Sequence, residues 1–283
     1  MIQLATKQGV LDVMHRYGFT FRKRYGQNFL IDEGAVNTIL DAAALDRDTA
    51  VIEIGPGFGT MTGYLAQRAG AVTAIELDDA LIPILGDLLG GFDNVRVIHG
   101  DALKVDLKAI IAEMNLPKVS VVANLPYYIT TPILMALLTS GVPFDKITVM
   151  VQKEVAERMA ATPGGRERGA ISVAVQYYTE PEVCGIVPAD KFYPAPQVDS
   201  AVLCLTRREH PPVEVDEKKF FAVVKAAFSQ RRKVLTNTLL SSGLFSCTKD
   251  ELAQKLSAVG IAPTARAETL SLEEFAIITN QVL

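Results

Sequence analysis

The run Val51–Ala66, VIEIGPGFGTMTGYLA, constrains this chain more than any other stretch, because an apolar segment breaks into a glycine cluster and then resumes with helical spacing. The β-branched Val51, Ile52 and the nearby Ile54 suit a strand buried on both faces, where no solvent face needs marking. Gly55, Gly57 and Gly59 permit a sharp turn and close approach to a ligand, since no Cβ blocks either. Met61, Leu65 and Ala69 then recur at helical spacing. Strand, tight loop and helix in that order predict a nucleotide or cofactor platform at the carboxyl end of the strand.

The glycine spacing discriminates among cofactors. A dinucleotide fingerprint needs Gly-x-Gly-x-x-Gly to seat a pyrophosphate on the helix N-terminus, whereas here Gly55, Gly57 and Gly59 are followed by Thr60 where the third glycine belongs. An NAD-dependent oxidoreductase is therefore disfavoured, and a nucleoside such as S-adenosylmethionine fits better. A purely structural turn is the competing reading. Two more strand ends bear on the choice. The segment Ala71–Glu76 closes on an acid about 20 residues past the first glycine, where a ribose-binding carboxylate belongs, although Glu76 could also cap a helix beginning near Asp78. Val95–Ile98 is followed by His99-Gly100-Asp101, which places Asp101 to accept from an adenine amino group or to cap a helix; the roles are compatible.

A chain of 283 residues with 49% hydrophobic content suggests two domains and an ample core. No apolar run approaches the roughly 20 residues of a membrane span, and the N-terminal residues lack the charged-then-apolar order of a signal peptide. The expectation is a cytoplasmic protein without a membrane partner. Cys184, Cys204 and Cys247 contain no Cys-x-x-Cys pair, and His15, His99 and His210 are scattered, so no disulfide framework, metal site or histidine-based triad is expected. The net charge of −4 is unevenly spread: residues from Arg207 onward sum to +2 and the preceding ones to −6. Between Lys218 and Lys249 there are seven basic residues and no acidic one.

Along the chain, a short helix is expected within residues 1–20. The stretch Phe21–Leu30 then interleaves Arg22, Lys23 and Arg24 with aromatics, which suits RNA. Sequence mechanics favour the blander arrangement, an arm that packs Phe29 and Leu30 on the core. A helix from Asp32 to about Ala44 precedes strands near 50–54, 71–76, 94–98, 118–123 and 145–151, with helices near 60–69, 78–89 and 131–139 between them. This alternation predicts a doubly wound, Rossmann-like α/β sheet. The fourth of these strands stops at Asn124-Leu125-Pro126-Tyr127-Tyr128, because Pro126 ends ladder pairing and forces Leu125 to be extended. Asn124 and both tyrosines thus emerge at the same sheet edge as the glycine loop, Glu76 and Asp101. Farther on come a helix at Glu154–Ala160, an apolar patch at Ile171–Tyr178 whose short length leaves its type open, an aromatic loop from Phe192 to Val198, and a strand at Ser200–Leu205. Pro211-Pro212 separates residues 1–210 from a small all-helical domain at 211–283.

Within that domain Phe221, Val224, Phe228, Leu235 and Leu239 recur at helical spacing, while Lys218, Lys225 and Arg232 follow at seven-residue intervals. One basic helix over 218–242, reinforced by Arg231 and Lys233, is expected to track an RNA phosphate backbone.

Several motifs together resemble one family, the small-subunit (16S) ribosomal RNA adenine N6-dimethyltransferases of the KsgA/RsmA type. They are Gly26–Leu30, the loop Glu53–Gly59, Glu76, Asp101, Asn124–Tyr127 and Phe192-x-Pro-x-Pro-x-Val198, in the family's order over nearly the whole chain. The resemblance implies an S-adenosylmethionine-dependent methyltransferase domain over 1–210. It also implies cofactor contacts from Asn28, Leu30, Gly55, Glu76, Asp101 and Asn124, which Gly57 joins as part of the loop. The implied partner is 16S rRNA or a small-subunit precursor, dimethylated on two adjacent adenosines of a hairpin near its 3′ end during ribosome assembly. A monomer is expected. Because the N6 lone pair is delocalised into the adenine ring, the enzyme gains by accepting the amine's hydrogen bonds, through the Asn124 side chain and a carbonyl at Leu125 or Pro126. Tyr127 and Phe192 are the rings expected to receive the unstacked base, each worth roughly 1–3 kcal/mol. No general base is assigned, since positioning alone supplies much of the rate. The alternatives are a resistance-type methylase of large-subunit rRNA and a non-catalytic RNA-binding assembly factor.

Overall fold

The computed structural model describes residues 3–22, 25–230 and 232–283. Along the chain run α1 (Lys7–Tyr17), β1 (Phe29–Leu30), α2 (Glu33–Ala43), β2 (Thr49–Ile54), α3 (Thr60–Arg68), β3 (Ala71–Glu76), α4 (Ile82–Leu89), β4 (Val95–His99), α5 (Leu107–Met114), β5 (Lys118–Asn124) and α6 (Thr130–Thr139). They are followed by β6 (Lys146–Gln152), α7 (Lys153–Ala160), α8 (Ala170–Tyr178), β7 (Thr179–Val187), β8 (Phe192–Tyr193), β9 (Ser200–Arg207), α9 (Glu217–Ala227), α10 (Leu235–Ser241), α11 (Lys249–Ala258) and α12 (Leu272–Ile277).

Seven strands form one sheet in the order β4-β3-β2-β5-β6-β9-β7, parallel from β4 through β6, with β9 antiparallel to β6. This is the doubly wound α/β sheet that the alternation of periods predicts. The chain builds outward from β2 through β3 to β4, then returns to start β5 on the other side of β2. The strand order therefore reverses between β2 and β5, the position at which ligands bind in open parallel sheets. Val51, Val72, Val122, Met150 and Val202 from five strands bury with Val36, Ile39 and Leu40 of α2 and with Leu65 of α3. A second cluster joins Val10 and Val13 of α1, Leu85 of α4, and the rings of Phe19, Phe29 and Phe58.

Contacts divide the chain into one unit of Met1–Ala156 with Glu182–Arg207 and another of Glu157–Pro181 with Arg208–Leu283. Residues 157–181, which the sequence reading groups with the first 210, pack with the C-terminal helices. The reason is α8: the ambiguous apolar patch is a helix, and its Val173 and Tyr177 bury among Phe220, Val224, Leu239 and Phe275. Arg168, 3% exposed, fixes the preceding loop by donating to the Ala161 and Leu270 carbonyls and to Gln176 Oε1.

The expected single helix over 218–242 is corrected to two, α9 and α10, separated by residues 228–234. Ser229 turns its hydroxyl back to the Ala226 carbonyl at 2.7 Å and so competes with the helical ladder. Beyond it, the Leu235 amide donates to the Ala265 carbonyl at 2.8 Å, a tertiary bond that a continuous helix would forbid. Lys218 and Lys225 therefore ride on α9, whereas Arg232 and Lys233 lie in the connection; all four are exposed.

Candidate active site

The carboxyl ends of β2, β3, β4 and β5 open into a cleft whose empty space, open mouth included, is ≈ 1120 Å³. Asn28, Leu30, Gly55, Gly57, Glu76, Asp101, Asn124, Leu125, Pro126 and Tyr127 all line it. Positions from Gly55 to Tyr127, about 70 residues apart, are thus brought to one place by the parallel register, in which Ile54 pairs with Ile75 on one side and Ala123 on the other.

The glycine loop is built by its neighbours. Gly57 has φ +62, and a Cβ there would stand 2.8 Å from Phe29 Cε1, so a side chain is excluded on both counts. Phe29 has no room to retreat, because its ring stacks on Phe58 with centroids 4.2 Å apart. The arm thus packs Phe29 and Leu30 inward, as sequence mechanics favour, and Leu30 presents one edge to the cleft.

Glu76 is 7% exposed and holds two backbone amides: Oε1 accepts from Asp78 N at 2.8 Å and Oε2 from Gly57 N at 3.2 Å. Burial raises its carboxyl above the usual carboxylate range, and the bonds from the Asp78 and Gly57 amides pull it partly back. A brace that the sequence did not reveal stands behind it. The buried Asp78 accepts from Arg22 Nη1 at 2.7 Å and from Gln27 Nε2 at 2.8 Å. Arg22 also pairs with Asp79 at 2.6 Å, so its guanidinium is engaged by two carboxylates and serves the arm. Of the other candidate RNA contacts, Lys23, Arg24 and Arg231 lie outside the described residues.

Asp101 accepts from the Leu103 amide at 3.0 Å and lies 3.5 Å from Lys104 Nζ. At the end of β5, Asn124 Nδ2 donates to the Asn28 carbonyl at 3.1 Å. That carbonyl needs a donor, which fixes the amide orientation and leaves Asn124 Oδ1 as the acceptor for anything bound. The two candidate carbonyls beside it are not equivalent. Pro126 O already accepts from Ile129 N at 3.1 Å and Thr130 Oγ1 at 3.2 Å, whereas no described donor bonds Leu125 O.

Phe192 corrects the sequence reading. It is 2% exposed, pairs across from Leu30 in the two-stranded sheet β1-β8, and belongs to the core with Val36 and Ile39. Its ring has no free face to offer a base. Tyr127 does line the cleft, with its hydroxyl 2.8 Å from Ser200 Oγ, and burial raises its phenol above the ordinary value. The exposed ring is Tyr128, 59% accessible at the mouth; burial raises its phenol, as do the nearby Tyr25, Asp101 and Glu76. Sequence reasoning placed Tyr128 at this edge without giving it a part, since only the packing against Gly26 shows which way it faces. Among the described residues no group of His, Cys, Asp and Glu is placed to hold a metal ion, and no helix is long and apolar enough to cross a membrane.

The family described as ribosomal RNA adenine dimethylase matches residues 18–282. This chain belongs to the ribosomal RNA adenine dimethylase family. Chains of this family methylate adenine in ribosomal RNA, and their methyl donor is of the S-adenosylmethionine type. Among its relatives, the ribosomal RNA small subunit methyltransferase A of Geobacillus thermodenitrificans is 52% identical, over 99% of this chain and 97% of that one. Among solved structures, a dimethyladenosine transferase from Plasmodium falciparum superposes with a TM-score of 0.72 at 26% identity, covering 87% of this chain and 94% of that one. The 23S rRNA methyltransferase ErmE superposes with 0.69, also at 26% identity, covering 90% and 99%.

Proposed function

We propose that this protein transfers methyl groups from S-adenosylmethionine to the N6 amines of two adjacent adenosines in a hairpin near the 3′ end of small-subunit (16S) rRNA, during assembly of that subunit in the cytoplasm. The observation that carries the reading is the meeting of Glu76, Asp101 and Asn124 in one cleft at the point where the strand order reverses. The cleft suits the cofactor on its own terms. Gly55 at φ +70 keeps open space above its backbone, with Asn124 O the nearest atom to a would-be Cβ at 4.0 Å. Glu76 keeps two unfilled acceptor positions for a ribose, and Asp101 stands at the end of the next strand for the adenine amine.

The bound donor supplies a methyl group already activated on a sulfonium. What the protein adds is position. Asn124 Oδ1 and the Leu125 carbonyl are the acceptors for the two hydrogens of the target amine, and their pull favours the pyramidal nitrogen that attacks. Pro126 O is excluded from this part by its two existing bonds. Tyr127 and Tyr128 are the rings available to an unstacked base, in place of the buried Phe192. Lys218, Lys225, Arg232 and Lys233 form the exposed basic group for phosphates in the second unit.

The 52% identity to a small-subunit enzyme supports that substrate over large-subunit rRNA; the TM-scores of 0.72 and 0.69 are too close to choose between them. The test is to incubate the purified protein and S-adenosylmethionine with unmethylated small- and large-subunit rRNA and particles, then map dimethyladenosine by mass spectrometry. Two adjacent dimethyladenosines in small-subunit rRNA alone are expected. Modification confined to the large-subunit RNA would overturn the substrate assignment.

A further inference from the structure

Ser200 is fully buried, and among the described residues its hydroxyl has one partner, the Tyr127 hydroxyl at 2.8 Å. Ser200 opens β9 at the edge where β6 ends, because the two strands are antiparallel and Gln152 pairs with Ser200. Tyr127 lies three residues past the end of β5. In the order β5-β6-β9 its side chain therefore reaches past the end of the intervening strand to meet a hydroxyl two strands away. Sequence reasoning gave Ser200 a place in a strand and nothing more.

The bond could simply brace β9, but the backbone around Ser200 is held without it. Asp199 O accepts from Lys153 N at 3.0 Å and Asp199 Oδ1 from Ala189 N at 3.0 Å, while the ladder to β6 runs unbroken from Ser200 to Thr206. Tyr127 gains more. Its backbone lies in the turn where Pro126 O accepts from Ile129 N, outside any strand or helix, and its half-buried ring lines the cleft. A tyrosine ring is carried on two torsions, and its hydroxyl oxygen lies on the ring axis, so a bond at that oxygen fixes where the axis points. Conjugation keeps the phenol O–H near the plane of its ring, so a fixed partner also restrains the rotation of the face.

The neighbours of the ring give this restraint its use. Tyr127 follows Asn124 and Leu125, the proposed acceptors of the target amine, by three and two residues. A base stacked on the ring takes its plane from the ring, so its amine meets those acceptors in only a narrow range of ring orientations. With its hydroxyl committed to Ser200, Tyr127 meets the base through its face alone. We propose that Ser200 is a positioning residue for methyl transfer, holding the Tyr127 ring in the orientation that delivers the target amine to Asn124 Oδ1 and the Leu125 carbonyl. The inference rests on the reading under Proposed function in which Tyr127 receives the base. Ser200 itself touches neither substrate nor cofactor.

The experiment measures single-turnover methyl transfer to unmethylated small-subunit particles, at saturating particle and S-adenosylmethionine, and cofactor affinity by calorimetric titration. Five full-length proteins are compared: the parent, Ser200→Ala, Tyr127→Phe, the double variant of these two, and Tyr127→Ala. Ser200→Ala and Tyr127→Phe keep the ring and lose the bond, so each should slow transfer about tenfold. The double variant should also be slowed about tenfold and not about a hundredfold, because both changes delete the same bond. It leaves neither hydroxyl without a partner, so its fold should hold even if a single variant is destabilised. Cofactor affinity should stay at the parental value in all three. A bond that only braces the fold would lower the melting temperature and leave the saturated rate alone. A parental saturated rate in Ser200→Ala, or losses that multiply in the double variant, alongside slowed transfer by Tyr127→Ala, would overturn this inference and leave the reading of the ring standing. Transfer by Tyr127→Ala at the parental rate would overturn both.

Discussion

Replacing Glu76 by glutamine removes one charged acceptor from the proposed ribose site and leaves the shape unchanged. An ionised carboxylate offers about four acceptor positions. Two are filled, by Asp78 N at 2.8 Å and Gly57 N at 3.2 Å, which leaves two for the ribose hydroxyls. Glutamine keeps one oxygen and turns an amide NH2 toward one of those backbone donors, so one N–H is left without a partner inside a buried site. That change costs about 1–3 kcal/mol of fold stability. On the binding side, one charge-assisted bond worth about 1.5–3 kcal/mol disappears and the other loses its charge, which predicts at least a tenfold rise in Kd. Burial already raises the Glu76 carboxyl, so removing the charge relieves part of a desolvation cost, and tenfold is a floor and not a sum of two full bonds. Glu76→Ala removes both acceptors and should weaken binding further. Calorimetric titration with S-adenosylmethionine gives the affinity, and thermal unfolding of the unliganded protein checks the fold. An unchanged Kd in two folded variants would remove Glu76 from the cofactor site.

Three other expectations use the same geometry. Asn124→Ala deletes the acceptor aimed at the target amine together with the 3.1 Å bond to Asn28 O, and should slow single-turnover methyl transfer on the order of 100-fold while changing RNA affinity little; transfer at the parental rate with saturating cofactor and RNA would rule the role out. Gly57→Ala places a side chain at φ +62 and 2.8 Å from Phe29 Cε1, combining about 1–2 kcal/mol of left-handed strain with about 1–3 kcal/mol of overpacking, so the urea midpoint should fall markedly. Changing Lys218, Lys225, Arg232 and Lys233 together to Glu should weaken rRNA binding and flatten its salt dependence by roughly 0.7–0.9 for each phosphate that is no longer neutralised, with cofactor affinity untouched; an unaltered salt slope would move the RNA surface elsewhere.

The sheet and the floor of the cleft are legible in the chain before it folds. Period-2 and buried apolar runs separated by helical spacing can satisfy their backbone and bury their side chains in few ways, and the glycine spacing at Gly55, Gly57 and Gly59 is a local property that needs no tertiary information. That Glu76, Asp101 and Asn124 meet in one place is legible because Glu76 and Asn124 end strands, Asp101 stands two residues past one, and parallel strands deliver their carboxyl ends to one edge. Pairings between distant residues leave no such local trace. Whether Phe192 is a stacking ring or a core residue turns on its pairing with Leu30, more than 150 positions away, and the local sequence of an aromatic loop is the same in either case. The pairing of Arg22 with Asp78 and Asp79, more than 50 positions away, leaves no mark in the residues around it. The basic run over 218–242 carries a continuous helical pattern, yet it folds as two helices, and Leu235 N, the first amide of the second, finds Ala265 O, a remote partner that the periodicity does not record. Side-chain spacing records which face a residue prefers; only the folded chain fixes what that face meets.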